Sequence, residues 1–224
     1  MVFVAQRVDT RPRRRTQRER TAESTRRLLD AAIELIAEKG FERTTAMEIG
    51  ERAGYSRSMV RSKYGSKEAL LESVLRNEYE PLMLAPEVNG QNGFDRAVAV
   101  LSRAFVAAED QPALLRAFFT VCFETVGPVG HLKPWLTEWL ARVESELAAA
   151  LHKGKKDGSV RTHIDPDVDA RRVIAFGLGF GFRWVLEPAR DFAGEMRQWI
   201  ERVSGEWSMD PVPAVCPGEA VNGN

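Results

Sequence analysis

Between Arg52 and Lys67 the chain carries five basic residues, Arg52, Arg57, Arg61, Lys63 and Lys67, and no acid. Ser58, Met59 and Ser62 are interleaved with them. A guanidinium fork pairs bidentately with a guanine edge, a Met side chain meets a thymine methyl, and hydroxyl or ammonium donors hold phosphate oxygens. This set therefore suits recognition of a polyanion. Arg57, Ser58, Met59 and Ser62 are the base-reading candidates. Thr44, Thr45, Arg61, Lys63, Tyr64 and Lys67 are the phosphate-positioning candidates. An acid-free window would also suit an acidic protein surface, so an all-α interaction module that binds an acidic protein partner is the alternative.

Two short helices must position these residues. Thr45 precedes an apolar-periodic run and Glu48 follows three residues on, the pattern of a capping box. Ile49 and Ala53, spaced i and i+4, form the inner face of that helix. Gly54 can take the left-handed conformation that ends it, and Ser56 is placed to cap a second helix over 57–63. Helix, Gly-containing turn and helix make a helix-turn-helix. Upstream, Leu28, Leu29, Ala32, Leu35 and Ile36 predict a helix over Ala22–Lys39, ended by Gly40 and plugged by Phe41. Downstream, Ser66 caps a fourth helix from Lys67 to about Glu80, where Pro81 ends it.

Net charge is zero, yet residues 1–80 hold 17 Lys and Arg against 13 Asp and Glu, whereas the remaining residues are acidic by the same margin. One half thus suits an anionic partner and the other does not. Residues 1–20 read as a basic, disordered arm with Arg11, Arg13, Arg14, Arg15, Arg18 and Arg20, able to lie along phosphates. No window is long and apolar enough to cross a membrane, and no export signal is recognisable, which points to the cytoplasm. Cys122 and Cys216 lie in unlike contexts and suggest no disulfide or CxxC pair. His131, His152 and His163 show no metal-ligand spacing, and no Gly-rich phosphate loop or nucleophile elbow occurs. Glu144 and Glu146 fall on different helix faces. Neither enzyme chemistry, a metal nor a cofactor is expected.

Residues 24–71, with LLDAAIELIAEKGFERTTAMEIGERAGYSRSMVRSKYGSKEALL as the matching stretch, resemble the DNA-binding domain of the tetracycline-repressor (TetR) family. The likeness rests on the KGF turn, the TT cap, the IxxRAGxS turn, and a short helix ending in an aromatic followed by SKEAL. This chain has Ser58 where the family often has a small residue, Arg61 where it usually has Tyr, and Lys63-Tyr64 where it often has His-Phe. The resemblance implies an all-α protein with an N-terminal three-helix helix-turn-helix domain (21–66). A C-terminal ligand-binding and dimerisation domain (67–208) would follow, with 67–80 as the connecting helix and a disordered tail over 209–224. It implies a homodimeric transcriptional regulator, most simply a repressor, on a palindromic double-stranded operator, released by a small apolar or amphipathic effector.

The second half reads as five helices: Phe94–Ala107, Pro112–Val126, Lys133–Lys156, Pro166–Leu186 and Phe192–Ser208. Breakers separate them, and no period-two strand pattern persists. The family likeness implies an effector pocket among these helices. Its candidates are Phe105, Phe118, Cys122, Phe123, Trp135, Trp139, Phe180, Arg183 and Trp184, with Glu124 and His131 as further polar members. Glu124 and Arg183 on facing walls would select an amphipathic ligand. Taken singly, each aromatic reads equally as core. Gly177, Gly179 and Gly181 sit mid-helix, with no preceding strand to make a dinucleotide loop. Glycines cost helix stability and mark close backbone approach, either within the subunit or across a dimer. The preferred reading is the dimer interface, with Arg172, Phe176, Gly177, Gly181, Trp184, Trp199 and Val203 as contributors.

Overall fold

Thr16 starts the first helix earlier than hydrophobic periodicity alone suggests. In the computed structural model, which describes residues 16–83, 92–127 and 129–209, the Glu19 carboxylate accepts the Thr16 N–H at 2.7 Å. The Glu19 N–H donates back to Thr16 Oγ1 at 3.2 Å. This capping box sets α1 at Gln17–Lys39, so Arg18 and Arg20 are helical and do not belong to a disordered arm. A polar first turn has no apolar stripe to announce it; only its cap does. Arg11, Arg13, Arg14 and Arg15, and the Pro-rich tail with Cys216, lie outside the described residues.

Gly40, with φ +86°, ends α1. α2 (Ala46–Arg52) opens on the expected Thr45–Glu48 capping box. Gly54 takes a positive φ of 77°, and α3 (Met59–Tyr64) follows. Ser66 Oγ accepts the Ala69 N–H and opens α4 (Lys67–Val74). Leu28, Ile36, Ile49, Val60 and Leu70 are almost wholly buried and form the core these helices share.

Pro81 does not end the fourth helix. α4 runs into a π-helical stretch, Leu75–Tyr79, and then a last turn, α5 (Glu80–Met83). A proline ring clashes with the carbonyl four residues back and has no N–H to give. The wide turn just before Pro81 uses an i→i+5 bond, from the Glu80 N–H to the Leu75 carbonyl, and so accommodates the ring without breaking the rod.

The remaining helices are α6 (Gly93–Asp110), α7 (Pro112–Glu124), α8 (Lys133–Asp157), α9 (Pro166–Leu186) and α10 (Phe192–Trp207), with a 3₁₀ turn over Gly130–Leu132. α6 packs on α8 and α10, α8 and α7 pack on α9, and α7 packs back on α1. Two glycines let α6 and α8 touch by backbone: a Cβ on Gly93 would lie 1.9 Å from the Gly154 nitrogen. The β content among the described residues is one isolated bridge, Val160 to Ser208. The architecture is all-α, as the residue pattern indicates.

Candidate nucleic-acid interface and effector region

The basic window is acid-free in sequence but not in space. Arg52 donates to Glu38 at 2.8 and 3.0 Å and to Glu34 at 3.3 Å, clamping α2 to α1. Arg57 pairs with Glu51 at 2.7 Å, with both side chains well exposed. Lys63 reaches the Thr21 carbonyl at 2.9 Å and Ser24 Oγ at 2.8 Å on α1. Partial burial without a carboxylate partner pushes its ammonium pKa down. Lys67 donates to the carbonyls of Phe41, Glu42 and Thr44 and lies 4.4 Å above the Phe41 ring. Among the described residues of the window, Arg61 is the basic side chain left exposed with no partner.

These placements revise several assignments. Thr44 is fully buried and its hydroxyl donates to the Gly40 carbonyl at 2.7 Å, so it fixes the turn and offers nothing to a phosphate. Lys63 and Lys67 brace the domain, Lys63 by reaching back to the start of α1 and Lys67 by gathering the carbonyls of the α1–α2 turn. Ser56 does not cap α3: its carbonyl accepts the Met59 N–H at 3.0 Å, and Ser58 occupies the cap position without a side-chain bond. The second helix is thus 59–64, and Arg57 and Ser58 stand in the turn before it. Met59 packs partly against the core. Tyr64 is half-buried, and burial raises its phenol pKa. What α3 presents outward is Ser58, Arg61 and Ser62, spaced to share one face. Arg57, next to Ser58, is exposed as well, and so is Thr45 at the cap of α2.

Gly50 was not among the expected site residues, yet it sets the hairpin. A Cβ there would lie 2.6 Å from the Ser56 carbonyl oxygen. α2 and the turn before α3 approach closely only because that position has no side chain. Glu48 serves twice, in its capping box and by accepting from Lys39 at 2.6 Å. Those bonds, Lys39 first, hold its carboxyl pKa at about 2.

The expected effector residues divide among several places. Phe118 and Trp139 line an apolar cavity of about 100 Å³ between α5, α6, α7, α8, α9 and α10, together with Tyr79, Leu115, Val143 and Met196. Tyr79 stacks on Phe118 at 3.7 Å and meets Trp139 edge-on at 5.5 Å. Cys122 is buried among its neighbours on α7, and burial pushes its thiol pKa up. Phe105 lies beneath the Arg197 guanidinium, 4.9 Å away. Phe123 packs edge-on against Phe182, and Trp184 stacks on Phe192 at 4.5 Å. Phe180 and Arg183 lie on the outer side of α9. Trp135 and His131 line a separate cleft beside the rod. Helical periodicity marks an aromatic as inward or outward, but not which of several inward spaces it meets.

Glu124 faces the other domain and not Arg183. Its Oε2 accepts the Phe41 N–H at 2.9 Å, joining the end of α7 to the α1–α2 turn. Gly40 lies so close that a Cβ there would meet the Glu124 carboxylate at 2.4 Å. Arg103 was also not foreseen. Buried in α6, it donates to the Met83 carbonyl at 2.6 Å and to both oxygens of Glu146 at 2.7 and 3.0 Å. It thereby ties the end of the rod to α8. Arg103, ahead of Arg96, holds the Glu146 carboxyl pKa down.

The glycine run serves two purposes. Gly181 is buried, and a Cβ there would lie 2.2 Å from the Phe119 ring, so it packs α9 on α7 within the subunit and leaves the dimer set. Trp184 is likewise buried inside. Gly177 borders the inner cavity. Gly179 is exposed, and Phe176, Phe182 and Leu186 are exposed large apolar residues on the same helix. Trp199 joins this face through Phe176 at 5.6 Å and Phe180 at 6.0 Å. Val203 is half-buried on α10, and Arg172, ion-paired with Asp169 at 3.5 Å, is exposed on α9.

The molecule is thus an all-helical two-part protein in which a helix-turn-helix domain is joined by a rod to a helical body with an apolar cavity. Residues 28–74 match the family model of bacterial regulatory proteins of the tetR family, and the chain carries a helix-turn-helix domain of that kind. Its relatives include the HTH-type transcriptional regulator BetI of Paraburkholderia phymatum, 31% identical over 116 residues, covering 50% of each chain. They also include the A-factor receptor protein of Streptomyces griseus, 24% identical over 160 residues, covering 71% of this chain and 54% of that one. The alignments span about half the length of these curated relatives. In fold the chain is similar to SmeT, the repressor of the Stenotrophomonas maltophilia multidrug efflux pump SmeDEF. That match has a TM-score of 0.66 and 22% identity, covering 88% of this chain and 99% of that one. A SmeT–triclosan complex matches with a TM-score of 0.69. The family consists of DNA-binding regulators rather than enzymes, in line with the lack of catalytic spacing in the sequence.

Proposed function

We propose that the protein is a ligand-responsive transcriptional repressor that binds a palindromic operator as a homodimer. The observation that carries this reading is the outward face of the α2–α3 hairpin. Ser58, Arg61 and Ser62 stand exposed on it, while Lys63, Lys67 and Thr44 are committed to bracing the hairpin behind them. A rigid scaffold presenting a few exposed donors is what duplex recognition requires, for base edges and phosphates alike. Each subunit places α3 in a major groove, with the two grooves about 34–36 Å apart. Arg57 exchanges Glu51 for a base edge, an exposed ion pair being worth only about 0–1 kcal/mol.

The exposed apolar strip of α9 with Trp199 is the dimer face, since apolar patches of this kind mark interfaces. The inner cavity around Tyr79, Phe118 and Trp139 receives the effector. Its lining is apolar, so the ligand is a small, largely apolar molecule. The binding of triclosan by a protein of the same fold lends support. At about 100 Å³ the cavity is smaller than a typical ligand site, so occupancy must push its walls apart. Tyr79 ends the π stretch of the rod, so that expansion moves the rod, and α3 with it, away from groove spacing.

Selection of genomic fragments with the purified protein tests the reading. Enrichment of one inverted repeat, with half-sites a helical turn apart, is expected. Absence of enrichment, together with a monomeric mass in solution, would discard it.

A further inference from the structure

A second concavity, of about 370 Å³, opens between the connecting rod and the first turns of α8 and shares only Trp139 with the lining of the inner cavity. At its centre the protein's own chemistry shows what it can hold. The Glu80 carboxylate, on the first residue of α5, accepts the Trp135 indole N–H at 2.9 Å through Oε1. Its Oε2 accepts from the Arg142 guanidinium at 3.1 Å. That guanidinium lies over the Trp139 ring, 4.5 Å from the centroid. The Trp135 and Trp139 planes are within 5° of parallel, 6.2 Å apart. A planar cation therefore already sits between a carboxylate and an indole face, the two groups that most favour it.

Arg142 is an occupant that solvent can reach. Its side chain is half exposed, and Glu80 is its ion-pair partner. Swinging it into solvent rehydrates the guanidinium but leaves the largely buried Glu80 with an unpaired oxygen, so the emptied position favours another cation. The charged groups then facing the space are Glu72, Glu80 and Glu138 against Arg76, with His131 at the rim. That balance repels anions, and a neutral ligand would leave the Glu80 oxygen without its charge partner.

We propose that this cleft binds a small planar organic cation, of the guanidinium or amidinium class, which replaces the Arg142 head between Glu80 and Trp139. The occupant touches the rod directly at Glu80, one residue beyond the π stretch. The site goes beyond the inner cavity and does not depend on whether the chain binds DNA.

Isothermal titration calorimetry of the full chain with benzamidine, methylguanidinium, neutral benzamide and benzoate tests the proposal. Saturable binding of the two cations is expected, with benzamide and benzoate weaker by roughly tenfold or more, the scale of a charge-assisted contact. Arg142→Ala removes the internal competitor and should tighten the cations several-fold. Glu80→Gln, which keeps an acceptor for Trp135, should weaken them roughly tenfold. Binding of benzamide as tight as that of benzamidine, or Arg142→Ala binding the cations no better than the parent, overturns the proposal. So does the absence of saturable cation binding to that variant at millimolar concentration. Should Glu80→Gln lose its helical circular dichroism, the Arg142→Ala comparison decides alone.

Discussion

Arg57 and Arg61 are four residues apart, both exposed, and placed for different work. Arg57 precedes α3 on a short, exposed ion pair that it can exchange for a base, whereas Arg61 projects unpaired from the helix. Arg57→Ala should cost roughly 1–3 kcal/mol at the cognate site and relax sequence preference there. Arg61→Ala should weaken all sequences about equally and lower the salt slope by about one contact. Gel shifts on cognate and scrambled duplexes at several salt concentrations distinguish the two, and an unchanged preference in Arg57→Ala would remove it from base reading. Arg103 is the buried counterpart of these surface arginines. Arg103→Met should destabilise the protein by about 3 kcal/mol, the low end for a broken buried pair because Arg96 stays on Glu146. Arg103 depresses the Glu146 pKa in the folded state. The stability this contributes is complete above the unfolded value of about 4.3 and is lost as pH falls through the lower folded value. Urea melts of parent and variant between pH 3 and 7 should therefore converge toward the acid end.

At the scale of elements, the hairpin depends on one missing side chain and the domain junction on one carboxylate. Gly50→Ala sets a methyl against the Ser56 carbonyl, a backbone atom that cannot turn aside. We expect a loss of about 1–3 kcal/mol in chemical denaturation, accompanied by a drop in duplex affinity, since the turn carrying Arg57 and Ser58 must shift. Unchanged affinity would show that this turn does not meet the duplex. Glu124→Ala leaves the Phe41 N–H without its acceptor and should cost a similar amount. Because the bond joins α7 to the α1–α2 turn, the variant should also blunt effector-driven release from DNA. Fluorescence anisotropy of a labelled operator, titrated with effector, reads this directly. Release identical to the parent's would leave the rod as the sole route of coupling.

At the scale of the molecule, the apolar strip of α9 sets the assembly. Phe176→Asp places a charge on its most forward aromatic while touching little of the subunit's own core, so folding should persist. Analytical ultracentrifugation should show a monomer at micromolar concentration, with operator affinity lowered at least tenfold by loss of two-site binding. A dimer of unchanged stability would move the interface elsewhere. Gly181→Ala should behave differently. It strikes Phe119 inside the subunit and should lower thermal stability before it alters assembly.

The order of helices, the caps of α2 and α4 and the presence of a helix-turn-helix were legible in the residues, because caps, stripes and glycine turns act over three or four positions. Thr45 with Glu48, Gly54 and Ser66 needed no tertiary knowledge to place. What residues in distant segments do to one another was not legible. Lys63 and Lys67 read as phosphate ligands until the fold gave them backbone carbonyls, and Glu124 read as a pocket wall until α7 packed on α1. Gly181 read as an interface residue until Phe119 was found against it. Charge and spacing along the chain decide which side chains can act. Only the packing of helices far apart in sequence decides which of them are already occupied, because a donor satisfied within the fold has little left to offer a partner.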